Sequence, residues 1–237
     1  MIQIKDLSVV LDNQTIFHNA NIQVEDGKRT VFVGKSGCGK TVLMKAIEGL
    51  IECTSGDIIV DGVNICTSSY KKILQIRKSI AMLFQSSALM DSMNIYQNVA
   101  FPLFEHKKNQ FSEKEIKDLV VEKLESVGLY NVLKKMPSEL SGGMKKRVAL
   151  ARAIILEPKY IIYDEPTTGL DPGTSKDIID LINKIHKMGF YTSIIISHDR
   201  DCIKETADRI AFIDKTKIIE FKDPTKFDFS VYNKHYK

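Results

Sequence analysis

Thr30-Val31-Phe32-Val33-Gly34-Lys35-Ser36-Gly37-Cys38-Gly39-Lys40-Thr41 is the stretch on which the fold turns. The first four residues are an apolar run of strand character. The last eight fit G-x-x-x-x-G-K-[ST], and a helical pattern opens at Lys40 and runs to about Gly49. Glycines at these spacings let successive backbone N–H groups turn inward and line a phosphate, and the positive end of a helix N-terminus adds to the site. Gly34 to Thr41 is therefore expected to bind a nucleotide through its phosphates. Lys40 would reach the β- and γ-phosphates, and the Thr41 hydroxyl would hold Mg²⁺. At average glycine and lysine usage the pattern arises by chance in roughly one chain of this length in a hundred. The bland alternative is a glycine-rich turn.

Working outward, Tyr160-Ile161-Ile162-Tyr163 and Thr192-Ser193-Ile194-Ile195-Ile196 are continuous apolar runs, as expected of strands buried on both faces. Ile178, Ile179, Leu181, Ile182 and Ile185 follow a helical period between them. Strands alternating with helices predict an α/β core with a parallel sheet. On the N-terminal side, residues 1–34 alternate short apolar runs with turns, and residues 57–65 read as two short strands about Asp61-Gly62. These predict an added antiparallel β layer. Residues 87–156 look almost entirely helical; one helix starts at the capping box Ser112-Glu113-Lys114-Glu115 and stops at Gly128. The expected organisation is a single unit over 1–237. Residues 1–86 and 157–224 form its core, 87–156 a helical insertion, and 225–237 a short tail.

Composition narrows the function classes. Of 237 residues, 43% are hydrophobic and 27% charged, a balance that supports a buried core and excludes disorder as the main state. The net charge of +4, from 34 basic and 30 acidic residues, lacks the clustered excess of a nucleic-acid binder. Doublets such as Lys71-Lys72 read as solvated faces. The longest aliphatic run, Ile194 to Ile196, is far short of the roughly 18 residues of a spanning helix. The N-terminal residues lack the apolar stretch of a signal peptide, so the expected compartment is the cytosol. Cys38, Cys53, Cys66 and Cys202 contain no C-x-x-C pair and are expected to be free thiols.

Two further constellations bear on chemistry. The strand at Tyr160–Tyr163 runs into Asp164-Glu165, and acids at the carboxyl end of a buried parallel strand sit in the ligand crevice of such sheets. Asp164 is expected to hold Mg²⁺ and Glu165 to polarise an attacking water; taken alone, the pair could merely begin a loop. Leu140-Ser141-Gly142-Gly143-Met144 also opens a helix, with Ser141 as a natural N-cap. Simple capping explains Ser141, but two following glycines are costly in a helix. They make sense if an anion must approach the backbone. Two anion-ready helix ends are hard to reconcile with one nucleotide in one subunit.

Together these residues resemble the ATP-binding cassette (ABC) ATPases over nearly the whole chain. Gly34–Thr41 resembles their Walker A motif and Tyr160–Glu165 their Walker B. Leu140–Met144 resembles the signature motif, Gln85 the Q-loop, Gly169-Leu170-Asp171 the D-loop and His198 the switch histidine. Alone, Gln85 reads as a surface polar residue and His198 as a lone histidine after a strand; their order along the chain carries the resemblance. It implies catalytic roles for Glu165, His198 and Gln85, and Mg²⁺ held by Thr41, Gln85 and Asp164. It also implies a head-to-tail dimer in which Ser141, Gly142 and Gly143 bind the γ-phosphate of the partner's ATP. Membrane permease subunits would be the other partners, at the cytoplasmic face of the inner membrane, with no nucleic acid.

Met136–Val148, Met82–Met93 and Asn98–Leu103 are further similar to the ATPases of Mla-type phospholipid transporters, which work with a mammalian-cell-entry (MCE) domain protein. The competing readings are an importer ATPase for a small solute such as an amino acid, and a soluble cassette acting on ribosomes or DNA. Permease helices are expected to dock on residues 86–102, where Leu89, Met90 and Met93 look exposed. Alignment puts Leu11 where many members carry an adenine-stacking aromatic, which implies weak base preference, with Phe17 in the core. Cys38 sits in a loop that could stabilise a thiolate, or is a small residue that merely fits.

Overall fold

The computed structural model describes residues 1–107, 110–189 and 191–230. Two sheets organise it. The first is antiparallel, in the order β2-β1-β4-β5, from β1 (Ile2–Leu11), β2 (Gln14–Val24), β4 (Ser55–Val60) and β5 (Val63–Asn64). The second has six strands in the order β10-β9-β3-β8-β7-β6. They are β3 (Arg29–Gly34), β6 (Ile80–Leu83), β7 (Tyr160–Asp164), β8 (Thr192–Ile196), β9 (Arg209–Asp214) and β10 (Lys217–Phe221). All pairings within β9-β3-β8-β7-β6 are parallel, and β10 adds an antiparallel edge.

The continuous apolar runs lie where burial on both faces demands them. Alternate residues of the central strands point to opposite cores, as the period of two requires. Phe32, Tyr160, Ile162, Ile194 and Ile196 face the antiparallel sheet together with Leu43, Met44 and Ile47 of α1 (Lys40–Ile47). Val31, Val33, Ile161, Tyr163 and Ile195 face the other core. That second core is completed by α3 (Ile95–His106), α4 (Glu113–Ser126), α5 (Gly142–Ile154), α6 (Pro172–Gly189) and α7 (Arg200–Thr206). A short helix, α2 (Tyr70–Arg77), has no buried residue, and Lys71 and Lys72 on it are exposed.

The helical pattern expected over 87–156 is interrupted. Residues 127–141 are irregular apart from a short 3₁₀ turn at Pro137–Glu139. Gly128 and Asn131 there take positive φ (75° and 56°), and Pro137 cannot continue a helix, so the chain turns. The Ser112 capping box forms: the Ser112 side chain accepts from Glu115 N, and the Glu115 carboxylate accepts from Ser112 N at 2.7 Å. Of the expected tail, Phe227 is buried against Phe212, Phe221 and Phe229; residues 231–237 lie outside the described residues.

Cys53 and Cys66 form a disulfide, which overturns the expectation of four free thiols; Cys38 and Cys202 remain free. The reason is the β4–β5 hairpin. Pairing of Val60 with Val63 folds the chain back, and Ile65 N donates to Ile58 O at 2.7 Å. Residue 66 thereby returns beside the start of β4, and its Cα lies 5.5 Å from that of Cys53. This spacing is ordinary for a disulfide and invisible to a search for close C-x-x-C pairs.

Candidate active site

The loop between β3 and α1 is built around two left-handed glycines, Gly37 (φ 77°) and Gly39 (φ 102°). At Gly39 a side chain is doubly excluded, because a Cβ would sit 2.6 Å from Ile16 Cγ2. No side chain caps α1, so its first N–H groups are left for a ligand. Lys40 Nζ folds over the loop, donating to Gly34 O at 2.7 Å and Lys35 O at 2.9 Å. A cavity of about 520 Å³ opens there. Gly34, Ser36, Gly37, Gly39, Lys40, Thr41, Gln85, Asp164, Glu165 and His198 line it together, whereas Lys35 and Cys38 line a neighbouring cavity of about 390 Å³. Residues from four separate parts of the sequence are thus brought to one place by the parallel sheet.

Asp164 closes β7 at the carboxyl edge of the sheet. Burial, and then the Glu165 carboxylate beside it, push its carboxyl above the ordinary value, while Lys146 and Lys40 oppose the shift. Such a group is stabilised by a cation. The hydroxyl of Thr41, the amide of Gln85 and the carboxylate of Asp164 are hard oxygen donors that fit Mg²⁺ with its remaining waters. Glu165 takes a left-handed conformation (φ 47°), and its N–H donates to Ile196 O of β8 at 2.9 Å. The Glu165 carboxylate lies 2.8 Å from His198 Nδ1 and accepts from the Thr168 hydroxyl at 3.3 Å. A carboxylate and an imidazole in contact at the mouth of a phosphate cavity can position and deprotonate a water.

Ser141, Gly142 and Gly143 do not join this cavity. Ser141 Oγ accepts from Met144 N at 3.3 Å, so it caps α5 as expected. The two glycines differ. A Cβ on Gly143 would meet Thr174 Cγ2 of α6 at 2.4 Å, so close helix packing already requires this glycine. Gly142 is exposed, and its Cβ would meet Leu170 only at 3.4 Å.

Four side chains depart from or add to the sequence reading. Leu11 lines neither cavity; Ile16 lines both, and Phe17 is fully buried. Of the two readings of Cys38, a stabilised thiolate or a small residue that fits the loop, the surroundings favour the second. Burial pushes the Cys38 thiol up from the ordinary value, outweighing Lys40, and its Sγ lies 2.6 Å from where a Cβ on Gly34 would be. Lys146 is nearly fully buried behind the site, where nothing in the run Met144-Lys145-Lys146-Arg147 distinguishes it from a solvated lysine. Its Nζ donates to Gln85 O at 2.5 Å.

The ABC transporter family pattern matches residues 17–168, more than half of the chain, and spans the loop, Gln85, the Ser141 turn and Glu165. The chain belongs to the ABC transporter family. It is 42% identical over 219 residues to the intermembrane phospholipid transport system ATP-binding protein MlaF of Haemophilus influenzae, covering 92% of this chain and 82% of that one. It is 40% identical over 223 residues to the methionine import ATP-binding protein MetN of Carboxydothermus hydrogenoformans, covering 93% of this chain and 65% of that one. Its fold matches the dimeric ATP-binding cassette MJ0796 bound to ADP and Pi, with a TM-score of 0.83 at 26% identity over 94% of this chain and 98% of that one. As a member of the ABC transporter family, the chain is an ATPase. Among the described residues, no helix is long and apolar enough to cross a membrane.

Proposed function

We propose that this cassette is the ATP-hydrolysing motor of a transporter that moves phospholipid between bacterial membranes, with permease subunits and an MCE-domain protein as partners at the cytoplasmic face of the inner membrane. The substrate class rests on the likeness to MlaF, of which the chain covers 82%; the importer reading rests on MetN, of which it covers 65%. The core, 1–86 with 157–224, carries the cavity, and the helical part, 87–156, carries the Ser141 turn.

Within the site, N–H groups from Gly34 to Thr41 would hold the phosphates, and Lys40 would leave the Gly34 and Lys35 carbonyls for the β- and γ-phosphates. Ile16 reaches both cavities, so the base is assigned to Ile16, with Leu11 beside it at the end of the β1–β2 hairpin. Thr41, Gln85 and Asp164 would hold Mg²⁺, which supplies charge neutralisation at the transferred phosphoryl group. Glu165 would orient and deprotonate the attacking water, with His198 holding the Glu165 carboxylate and the γ-phosphate in register.

The observation that carries the dimer is that the Ser141 turn does not line the cavity. A capped helix end with one exposed glycine has no phosphate within its own chain, and a second copy placed head to tail would supply one. Coupling to the membrane is assigned to the groove of about 580 Å³ lined by Phe84, Met90, Phe101 and Pro102. Met90 is in this groove; Leu89 and Met93, also expected to dock permease helices, are half-buried and do not line it.

Mixing separates shared from self-contained sites. Lys40→Met disables a subunit's own loop, and Gly142→Glu disables the turn offered to its partner. Each variant alone should be inactive. An equal mixture should recover about a quarter of the parent ATP turnover, since half the dimers are mixed and each holds one intact site. No recovery, with mixed dimers present, would overturn the shared site.

A further inference from the structure

Lys146 and Arg152, both on α5, carry an observation that nucleotide binding does not explain. Lys146 is 3% exposed, and the hydrogen bonds its ammonium makes go to backbone carbonyls: Gln85 O at 2.5 Å and Glu165 O at 3.5 Å. Arg152 donates to the next carbonyls of the same loop, Ala88 O at 2.8 Å and Ser87 O at 2.9 Å. A buried ammonium is far less favourable than an apolar side chain of similar length unless its contacts serve a purpose. Burial pushes the Lys146 ammonium below the ordinary lysine value, and the neighbouring Asp164 and Glu165 carboxylates oppose that shift.

The loop needs such a hold. Ser87 and Ala88 both take positive φ (64° and 44°), a region that side chains other than glycine rarely enter and that persists when the surroundings over-determine it. Beyond them, the buried Asn98 side chain accepts from Met90 N and donates to Met90 O and Met93 O. Residues 85–93 are therefore a strut tied to α5 at one end and to α3 at the other. Lys146 also spans two neighbouring strands, since Leu83 at the end of β6 pairs with Tyr163 of β7.

We infer that Lys146 and Arg152 are positioning residues that clamp the Gln85 loop, and through Lys146 the Glu165 backbone, to the helix whose N-cap is Ser141. Any shift of α5 then displaces the Gln85 and Glu165 carbonyls with it. One helix thereby couples the turn offered to a partner's nucleotide with the groups that act on this chain's own. The inference deepens the proposed function and rests on the roles given there to Gln85 and Glu165.

The test uses the purified full chain. With saturating Mg²⁺ and ATP, Lys146→Met should lower kcat about 10- to 100-fold, the scale of a small misplacement of reacting groups. KM for ATP should stay within about threefold, because the phosphate loop is untouched. Lys146→Arg keeps a buried cation and should restore most of kcat. Amide hydrogen exchange should quicken at residues 85–90 in both Lys146→Met and Arg152→Met without a matching change across α6. A general loss of protection, or parental kcat in folded Lys146→Met, overturns the inference. If Lys146→Met does not fold, Arg152→Met carries the same measurements from the other end of the clamp. Glu165→Gln run in parallel keeps the two failures apart. Parental turnover in Glu165→Gln refutes the role of Glu165, and the exchange data still decide whether the clamp exists.

Discussion

Two glycine-containing turns open helices in this cassette, and they are finished differently. The turn at Gly34–Thr41 faces a cavity completed by Gln85, Asp164, Glu165 and His198 of the same chain, its helix has no side-chain cap, and its lysine is folded over the opening. The turn at Ser141–Gly143 is capped by its own serine, faces no residue of that cavity, and has one of its glycines committed to packing against Thr174. A helix N-terminus with free N–H groups is half of an anion site. What differs is whether the rest of the chain supplies the other half. The first turn is also braced behind: Arg77 donates to Glu48 O and Gly49 O at the far end of α1, and the Cys53–Cys66 link lies in the adjoining hairpin.

The largest effect expected is on chemistry at the first turn. Glu165→Gln should cut ATP turnover about 100- to 10,000-fold while nucleotide binding is retained. If ATP then holds two copies together in sedimentation or light scattering, the second turn has found its phosphate. A dimer that forms equally well without nucleotide breaks the comparison. Removing the brace should come next. Cys53→Ser opens a cross-link with a sequence separation of 13. By the chain-entropy relation this should cost about 3 kcal/mol in chemical denaturation under non-reducing conditions. An unchanged denaturation midpoint would mean that the link contributes no stability.

At the second turn, Gly143→Ala must push α5 from α6 and should destabilise by about 1–3 kcal/mol in the same assay. Mg²⁺ binding gives an effect of similar size. Because burial raises the Asp164 carboxyl, acidification protonates it at a higher pH than it would an exposed aspartate. Below that raised value, the Mg²⁺ affinity of the ATP-bound chain should fall about tenfold per pH unit. Asp164→Asn should flatten this pH dependence in Mg²⁺ titrations. The smallest change is at Gly142. Alanine there relieves the helix of a glycine and should stabilise the isolated chain by about 0.5–1 kcal/mol, with the opposite sign to Gly143→Ala. If both glycines destabilise alike when replaced, the distinction drawn between them fails.

Much of the site was legible because its signals are local. The strand, glycine loop and helix of Thr30–Gly49 are contiguous, and the Ser112 and Ser141 caps depend on residues three positions away. The strands at 57–65 were read from a hairpin turn. Elements whose signals are short or weakly periodic, β6, β9 and β10, were not singled out. Residues 87–156 look almost entirely helical in sequence, yet beyond the stop at Gly128 the positive φ of Asn131 and the proline at 137 keep the stretch to 141 irregular. Ile16 was missed because its exposure to the cavity depends on how the β1–β2 hairpin lies against Gly39, whereas Leu11 was suggested by alignment alone.

What the sequence determined by itself is the chemistry available. It specified a phosphate loop on a buried strand, a pair of acids at the end of another, a capped glycine turn, and the α/β alternation that brings strand ends to one edge. These follow from backbone hydrogen bonding and side-chain periodicity, which act over a few residues. Tertiary structure decided everything that depends on which distant atoms meet. It joined Cys53 to Cys66, claimed Gly143 for helix packing and raised rather than lowered the Cys38 thiol. It also buried Lys146 against the carbonyls of Gln85 and Glu165. Each of these turns on a separation of a few ångströms between segments far apart in the chain, and on the desolvation that comes with it. Composition and spacing contain neither quantity.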